Sequence, residues 1–425
     1  MIHTFELTKM ISKQTFENII SSLNMRYYKR CWISTDYADK GFTVIRVYKF
    51  KRKDIQVQTN EESDLSHYYM IGISINPGVM FHGDIHLSTN ILSFTPDYVK
   101  SIYYRIYDLI PCMEQVKQYH DNNFQLWFEL NAFKAHRIDY CFDLKTMHRE
   151  YLKLINKGYS LRKDTFNRSY FDNKEILETQ TDDEPNIPDV ETLTNNNTSD
   201  VNYVYFKSKG IDINIYLKED ELKRRNLSSN PEHDYDYLRI EPHAKKTKLN
   251  AIVSKLGLKG RELQYLATPE VEEYVLSSYI HALTGTGVYV TLDTARKIIN
   301  QSKYTAPKKQ KLIKIVESVS AKHGIAKLLE QVENGTITDL GSLKTVKNYL
   351  REIQKELGIN PVTISTTMNV PKQTLTNLTG GTDITDIMLP NLTDILKAYN
   401  QQIIEEQQQG VIITQEVLEQ IDKIQ

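Results

Sequence analysis

The stretch Arg137-Ile138-Asp139-Tyr140-Cys141-Phe142-Asp143-Leu144 alternates in character, and two later stretches echo it: Asp212-Ile213-Asn214-Ile215-Tyr216-Leu217 and Tyr237-Leu238-Arg239-Ile240-Glu241-Pro242-His243. Alternation at period two is the mark of a β-strand, whose successive side chains point to opposite faces. It constrains this chain more than any other feature. Asp139 and Asp143, then Asp212, Asn214 and Tyr216, then Arg239, Glu241 and His243, fall on polar faces. If the three strands are neighbours, these groups converge. Carboxylates, an imidazole and a phenol gathered in this way can hold a divalent cation beside a nucleophile, which is what cutting a phosphodiester through a covalent intermediate requires.

Elsewhere the pattern changes along the chain. Ile2 to Leu7 reads as a strand, and Ser12 caps a helix to about Leu23. Strands are expected at Arg26 to Thr35, Gly41 to Phe50, Tyr68 to Ile75, Phe124 to Leu130, Val201 to Lys207 and Ile211 to Leu217, with a turn at Lys209-Gly210. A helix opens at Thr95-Pro96-Asp97, and Asp220 to Arg225 adds a helical turn. Beyond Glu241 the periodicity becomes helical: Lys245 to Leu256, Pro269 to Leu283, Leu292 to Asn300, Lys308 to Ser318 and Leu343 to Leu357. The class is therefore α+β, a mostly antiparallel sheet with flanking helices followed by a mainly helical region. Three units are expected: 1–260 with an acidic loop inserted near 173–200, 261–380, and a polar tail over 381–425.

The net charge of −1 over 425 residues hides an uneven distribution. Residues 172–201 carry −8 and residues 381–425 carry −6, which leaves +13 on the rest of the chain, compatible with a phosphate backbone as partner. No apolar run suits a membrane span and the start lacks a signal peptide, so a cytoplasmic protein without a membrane partner is expected. Cys31, Cys112 and Cys141 are too few and too scattered for a disulfide framework or a zinc knuckle, so reduced thiols are expected.

Each candidate has a plainer reading beside it. Asp139 and Asp143 suit a half-exposed sheet as well as a metal site. Glu241 and His243 offer an oxygen and a nitrogen ligand two residues apart, while Pro242 between them suits an edge or a strand end. Among 27 tyrosines, Tyr216 stands out for its polar-face position with Lys218 close behind, and Tyr205 is its nearest rival. His82, Asp84 and His86 form a competing metal motif, or a solvated turn. Ile364 to Leu378 has the spacing of a helix-turn-helix whose second helix starts near Pro371. Lys245 to Lys248 and Lys303 to Lys311 are basic runs suited to DNA backbone or to solvent.

In their order, Arg137-Ile138-Asp139 with Asp143, Ile213-Asn214-Ile215-Tyr216-Leu217-Lys218 with Glu221, and Leu238-Arg239-Ile240-Glu241 resemble the motifs of rolling-circle replication initiators. Both the plasmid Rep type and the phage gene II type, HUH-like endonucleases, show this succession. Met1-Ile2-His3-Thr4 looks like a gene II-type start, and Leu350 to Pro361 is similar to that type's C-terminal helical region, so the resemblance covers roughly residues 1–362. It implies a site-specific endonuclease that nicks one strand of its origin, at a single-stranded or cruciform site, through a tyrosine and Mg²⁺ or Mn²⁺, and frees a 3′-OH primer. Asp139, Glu241 and, less securely, His243 match its metal positions, and Tyr216 its tyrosine, with Tyr205 as the alternative. Lys218 and Arg239 would offset phosphate charge. A host helicase and a second copy of the chain are the further partners this implies. The chain departs from many relatives in having Glu-Pro-His where they have a His-hydrophobic-His pair. The alternatives are a conjugative relaxase of the same chemistry and a non-catalytic DNA-binding initiator or regulator.

Overall fold

The computed structural model of the chain describes residues 1–51, 67–89, 91, 94–110, 133–145, 147–158, 167–171, 203–224, 234–321, 324–368, 372–375, 384–401 and 405. The strand expected at Phe124 to Leu130, the acidic insertion near 173–200 and Cys112 lie outside the described residues. Cys31 and Cys141 are buried free thiols.

The chain is α+β. Its strands are β1 (Ile2–Ile11), β2 (Arg26–Tyr28), β3 (Cys31–Ser34), β4 (Phe42–Lys51), β5 (His67–Ile75), β6 (Lys134–Tyr140), β7 (Phe142–Leu144), β8 (Asn167–Phe171), β9 (Tyr203–Lys207), β10 (Ile211–Leu217) and β11 (Leu238–Lys245). They form one sheet in the order β2-β3-β4-β5-β1-β6-β11-β10-β9-β8, with β7 beside β11 as a continuation of β6. Neighbouring pairs are antiparallel. One face is apolar at its centre: Phe5, Leu7, Ile73, Ile138, Ile213, Ile240 and Ala244 are all 0% exposed. Helices Lys13–Ser22, His148–Gly158, Lys246–Leu256 and Pro269–Thr284 pack on the sheet.

Two local departures have physical causes. The strand expected over Arg26 to Thr35 is a hairpin, because Lys29 and Arg30 both take positive φ, 43° and 72°, the signature of a tight primed turn. Pro242 lies in a central strand and not at an edge. It is tolerated where the β6/β7 partner is interrupted: β11 pairs with β6 through residues 243–245 and with β7 through residues 238–240, and the amide of Cys141, in the gap, donates to Met1 O at 2.8 Å.

Beyond Leu256 the chain also forms helices Leu292–Gln301, Ala306–Ala321, Ile325–Glu333 and Leu343–Lys355, with a small sheet of β12 (Tyr289–Val290), β14 (Ile384–Leu389) and β13 (Lys372–Leu375) in that order. The helix-turn-helix expected over Ile364 to Leu378 does not form as such among the described residues. Residues 372–375, where the second helix is expected to start, pair instead as a strand with 384–387. The Thr-rich sequence, of high β-propensity, gains a cross-strand partner that an isolated short helix lacks. The segment read as a polar tail also differs, since Met388, Leu389, Leu392 and Leu396 are buried in the core and residues 392–401 are helical. Among the described residues, no helix is long and apolar enough to cross a membrane.

Candidate metal centre

Three strands bring the expected groups together because their registers align. Asp139 faces His243 across β6 and β11, and Asn214 faces Glu241 across β10 and β11. Asp143 faces Arg239, which faces Tyr216. Asp139, Glu241 and His243 each offer a ligand atom within 4.8 Å of the others. Asp139 and Glu241 are buried, at 1% and 3% exposure, and His243 is half-buried.

Each of these groups is held by neighbours. Asp139 accepts from the Thr4 hydroxyl, and its Oδ1 lies 3.1 Å from Arg137 Nε and 3.2 Å from His243 Nδ1. That Oδ1 atom is fully buried yet makes no hydrogen bond. Glu241 meets His3 Nδ1 at 2.7 Å and accepts from the Tyr216 hydroxyl at 3.1 Å. The Asn214 amide lies between His243 Nε2, at 2.9 Å, and the Tyr203 hydroxyl, at 2.8 Å.

The electrostatics follow from charge crowded into a desolvated place. Burial alone would raise the Glu241 carboxyl, but the His3 and His243 charges outweigh it and hold it well below the usual carboxylate range. Burial alone would lower His243, but Asp139 and Glu241 raise it. Asp139 is the main cause of the raised Arg137 pKa. Two buried carboxylates with an imidazole between them can ligate a hard divalent cation, which would take the place of the imidazole proton: two oxygens and one nitrogen converge, and one buried carboxylate oxygen lacks a hydrogen bond. The residues present fit such an ion.

Sequence reasoning missed His3 and Thr4 as members of the site. In β1, Ile2 pairs with Tyr140 and Thr4 with Asp139, so His3 is the extra residue of a bulge. A bulge re-aims side chains, and here His3 and Thr4 both reach the polar face. The signal, a His-Thr pair in a strand opposite Asp139, is visible only once the pairing is known.

The remaining candidates lie further in. Tyr216 is 5% exposed, its ring stacked on Tyr203 at 5.7 Å, and burial with Glu241 pushes its pKa well up. Tyr205 is half-buried on β9, opposite Asn214. Arg239 is fully buried and grips Asp143 with two hydrogen bonds of 2.7 Å. Lys218 is buried against Glu221 at 2.7 Å, 5.6 Å from the centre of the Tyr216 ring. Both cations are therefore engaged by carboxylates behind the site and do not face solvent. Asp212 is bound to Lys245 at 2.6 Å.

The competing motif at residues 82–86 does not converge as a metal site. The Asp84 carboxylate accepts from Tyr235 OH at 2.6 Å and from the His86 amide at 2.7 Å, and His86 packs edge-on against the Tyr235 ring. Burial lowers the His86 pKa. The segment instead covers the polar face: His86 O accepts from Arg239 at 3.3 Å and the Ser88 hydroxyl donates to Asp143 at 3.3 Å.

No protein-family model and no curated protein matches the chain. Among solved structures, one described as a rolling circle replication initiator protein from Geobacillus stearothermophilus is similar over 66% of this chain and 84% of that chain, with 10% identity and a TM-score of 0.29. A likeness that loose assigns neither fold nor function.

Proposed function

We propose that the chain is a rolling-circle replication initiator that binds an origin in DNA and nicks one strand by metal-dependent tyrosine transesterification. The observation that carries this reading is the meeting of Asp139, Glu241 and His243 at one point, with a tyrosine hydroxyl hydrogen-bonded to one of the carboxylates. Asp139, Glu241 and His243 hold Mg²⁺ or Mn²⁺, which supplies Lewis-acid polarisation of a phosphodiester. His3 and Thr4 orient Glu241 and Asp139. Tyr216 Oη attacks phosphorus; the Tyr–O–P bond forms, the P–O3′ bond breaks, the phenolic proton is released to water, and the 3′ oxygen leaves and gains a proton from water. The free 3′-OH is then a primer. Arg239 and Lys218 act from behind, through Asp143 and Glu221, by fixing the strands that carry Tyr216 and Glu241.

Tyr205 is the second reading for the nucleophile, favoured by its partial exposure where Tyr216 is nearly closed off. The test is incubation with supercoiled origin-bearing DNA in Mg²⁺ or Mn²⁺, scored for relaxed circles with covalently attached protein. Adducts lost in Tyr216→Phe and kept in Tyr205→Phe support the assignment, and the converse moves the nucleophile to β9. Binding with no nick in either metal leaves a DNA-binding initiator or regulator without catalysis.

A further inference from the structure

The Leu343–Lys355 helix carries a cationic face that the metal centre does not use. Lys344, Lys347, Arg351 and Lys355 are exposed, and at about 100° per residue they fall within an arc of roughly 100°. Val346, Leu350 and Ile353 are buried on the opposite side. Among the described residues none of the four cations has an ion-pair partner, and Glu352, the one acid of the helix, is taken by Lys308 at 2.8 Å. The helix is fixed in place: Ser342 caps it by accepting from Thr345 N, and it packs on Ala306–Ala321 and Ile325–Glu333, which also pack on each other. The stripe is a rigid, uncompensated row of charge.

We propose that this face docks duplex DNA. From Lys344 to Lys355 the row extends about 16 Å at 1.5 Å per residue, comparable with a major groove about 12 Å wide. Four cations on a straight rod suit phosphates at fixed spacing. Asn348 lies within the stripe, its Oδ1 held by Arg351 Nη1 at 3.2 Å, and its amide is a type of group that reads base edges. A single strand would need exposed rings for its bases to stack on. The one aromatic residue of this helix, Tyr349, is instead half-buried against the core. The proposal rests on charge and helix geometry, independently of the nicking chemistry.

The test measures binding of the full chain, in EDTA, to a fluorescent duplex two helical turns long and to oligo-dT of equal length, by anisotropy across a salt series. Lys344→Gln/Lys347→Gln/Arg351→Gln/Lys355→Gln is expected to weaken duplex binding at least tenfold at moderate salt. It should flatten the log–log salt slope by about 3 to 4 units, close to 0.9 per phosphate contact. Arg351→Gln alone should remove about one unit. Lys13→Gln/Lys40→Gln/Lys145→Gln/Lys153→Gln, an equal change of charge on other exposed positions, should leave the slope within one unit of the parent. All the changed side chains are exposed, and matching thermal unfolding confirms that the fold is kept. An unchanged slope in the stripe variant, an equal loss in the control variant, or an equal dependence of oligo-dT binding on the stripe would overturn the proposal. Since EDTA silences the metal centre, a failed nicking assay leaves these outcomes untouched.

Discussion

Glu241 is approached from three sides, by His3 Nδ1 at 2.7 Å, the Tyr216 hydroxyl at 3.1 Å and His243 Nε2 at 3.7 Å. A carboxylate held in this way is oriented before any cation arrives, and His3 is the support that most directly sets its angle. His3→Gln should therefore weaken Mn²⁺ binding by about 10- to 100-fold, the usual cost of losing a group that orients a ligand. Titration of free Mn²⁺ by electron paramagnetic resonance checks it, and unchanged affinity would remove His3 from the site. Arg239 makes the opposite point. Alternation in the sequence fixes its face correctly, beside Glu241 and His243, but says nothing of what covers that face. The fold lays residues 84–88 over it, so the guanidinium becomes a buried partner of Asp143. Arg239→Gln leaves Asp143 unmatched and should lower stability by about 3–5 kcal/mol in urea unfolding. A loss under 1 kcal/mol would mean that water reaches the pair.

At the scale of elements, strands were legible where burial on one side enforced period two, as in β6, β10 and β11, and illegible where a local irregularity did the positioning. The bulge at His3 and the break opposite Pro242 leave no mark in composition. Ile364 to Leu378 misled for a related reason: its spacing of apolar residues suits a short helix as well as a strand, and the partner that decides, β14, follows only at Ile384. β14 is also tied to the start of the Leu292–Gln301 helix. Asp386 accepts from Thr291, the N-cap, at 2.7 Å and from Thr294. Burial works against the Asp386 charge, but these hydroxyls and the Ile387 amide outweigh it and lower the pKa. A carboxyl depressed in the folded state adds stability that is complete above its unfolded value, about 3.9, and is lost as pH falls through the folded value. Asp386→Asn should thus cost about 1 kcal/mol at neutral pH. The gap from the parent should close in acid, as followed by thermal unfolding against pH, and a gap independent of pH would show that the charge is irrelevant.

At the scale of the whole molecule, the question is whether residues 1–260, which contain the entire metal centre, can stand alone. The change from strand to helix periodicity near residue 260 suggests so, yet the core does not thin there. Helix Pro269–Thr284 packs on β6 and β11, the two strands that carry Asp139, Glu241 and His243, and the Tyr140 hydroxyl bonds to Leu266 O at 2.9 Å. From the other end, Tyr151 OH reaches Pro390 O at 2.9 Å. Val271, Val275, Leu276, Ile280 and Leu283 are all 0% exposed. At roughly 1.5–3 kcal/mol for each buried side chain, their burial contributes on the order of 10 kcal/mol. That is as large as the entire net stability of a typical domain, about 5–15 kcal/mol. A fragment of residues 1–260 should therefore show no cooperative unfolding and no Mn²⁺ site, whereas a fragment of residues 1–401, which restores the helix and β14, should regain both. Calorimetry with and without Mn²⁺ distinguishes the cases. Cooperative melting of the shorter fragment, with its metal affinity intact, would show that the sheet holds its own core and that the helical region is an appendage.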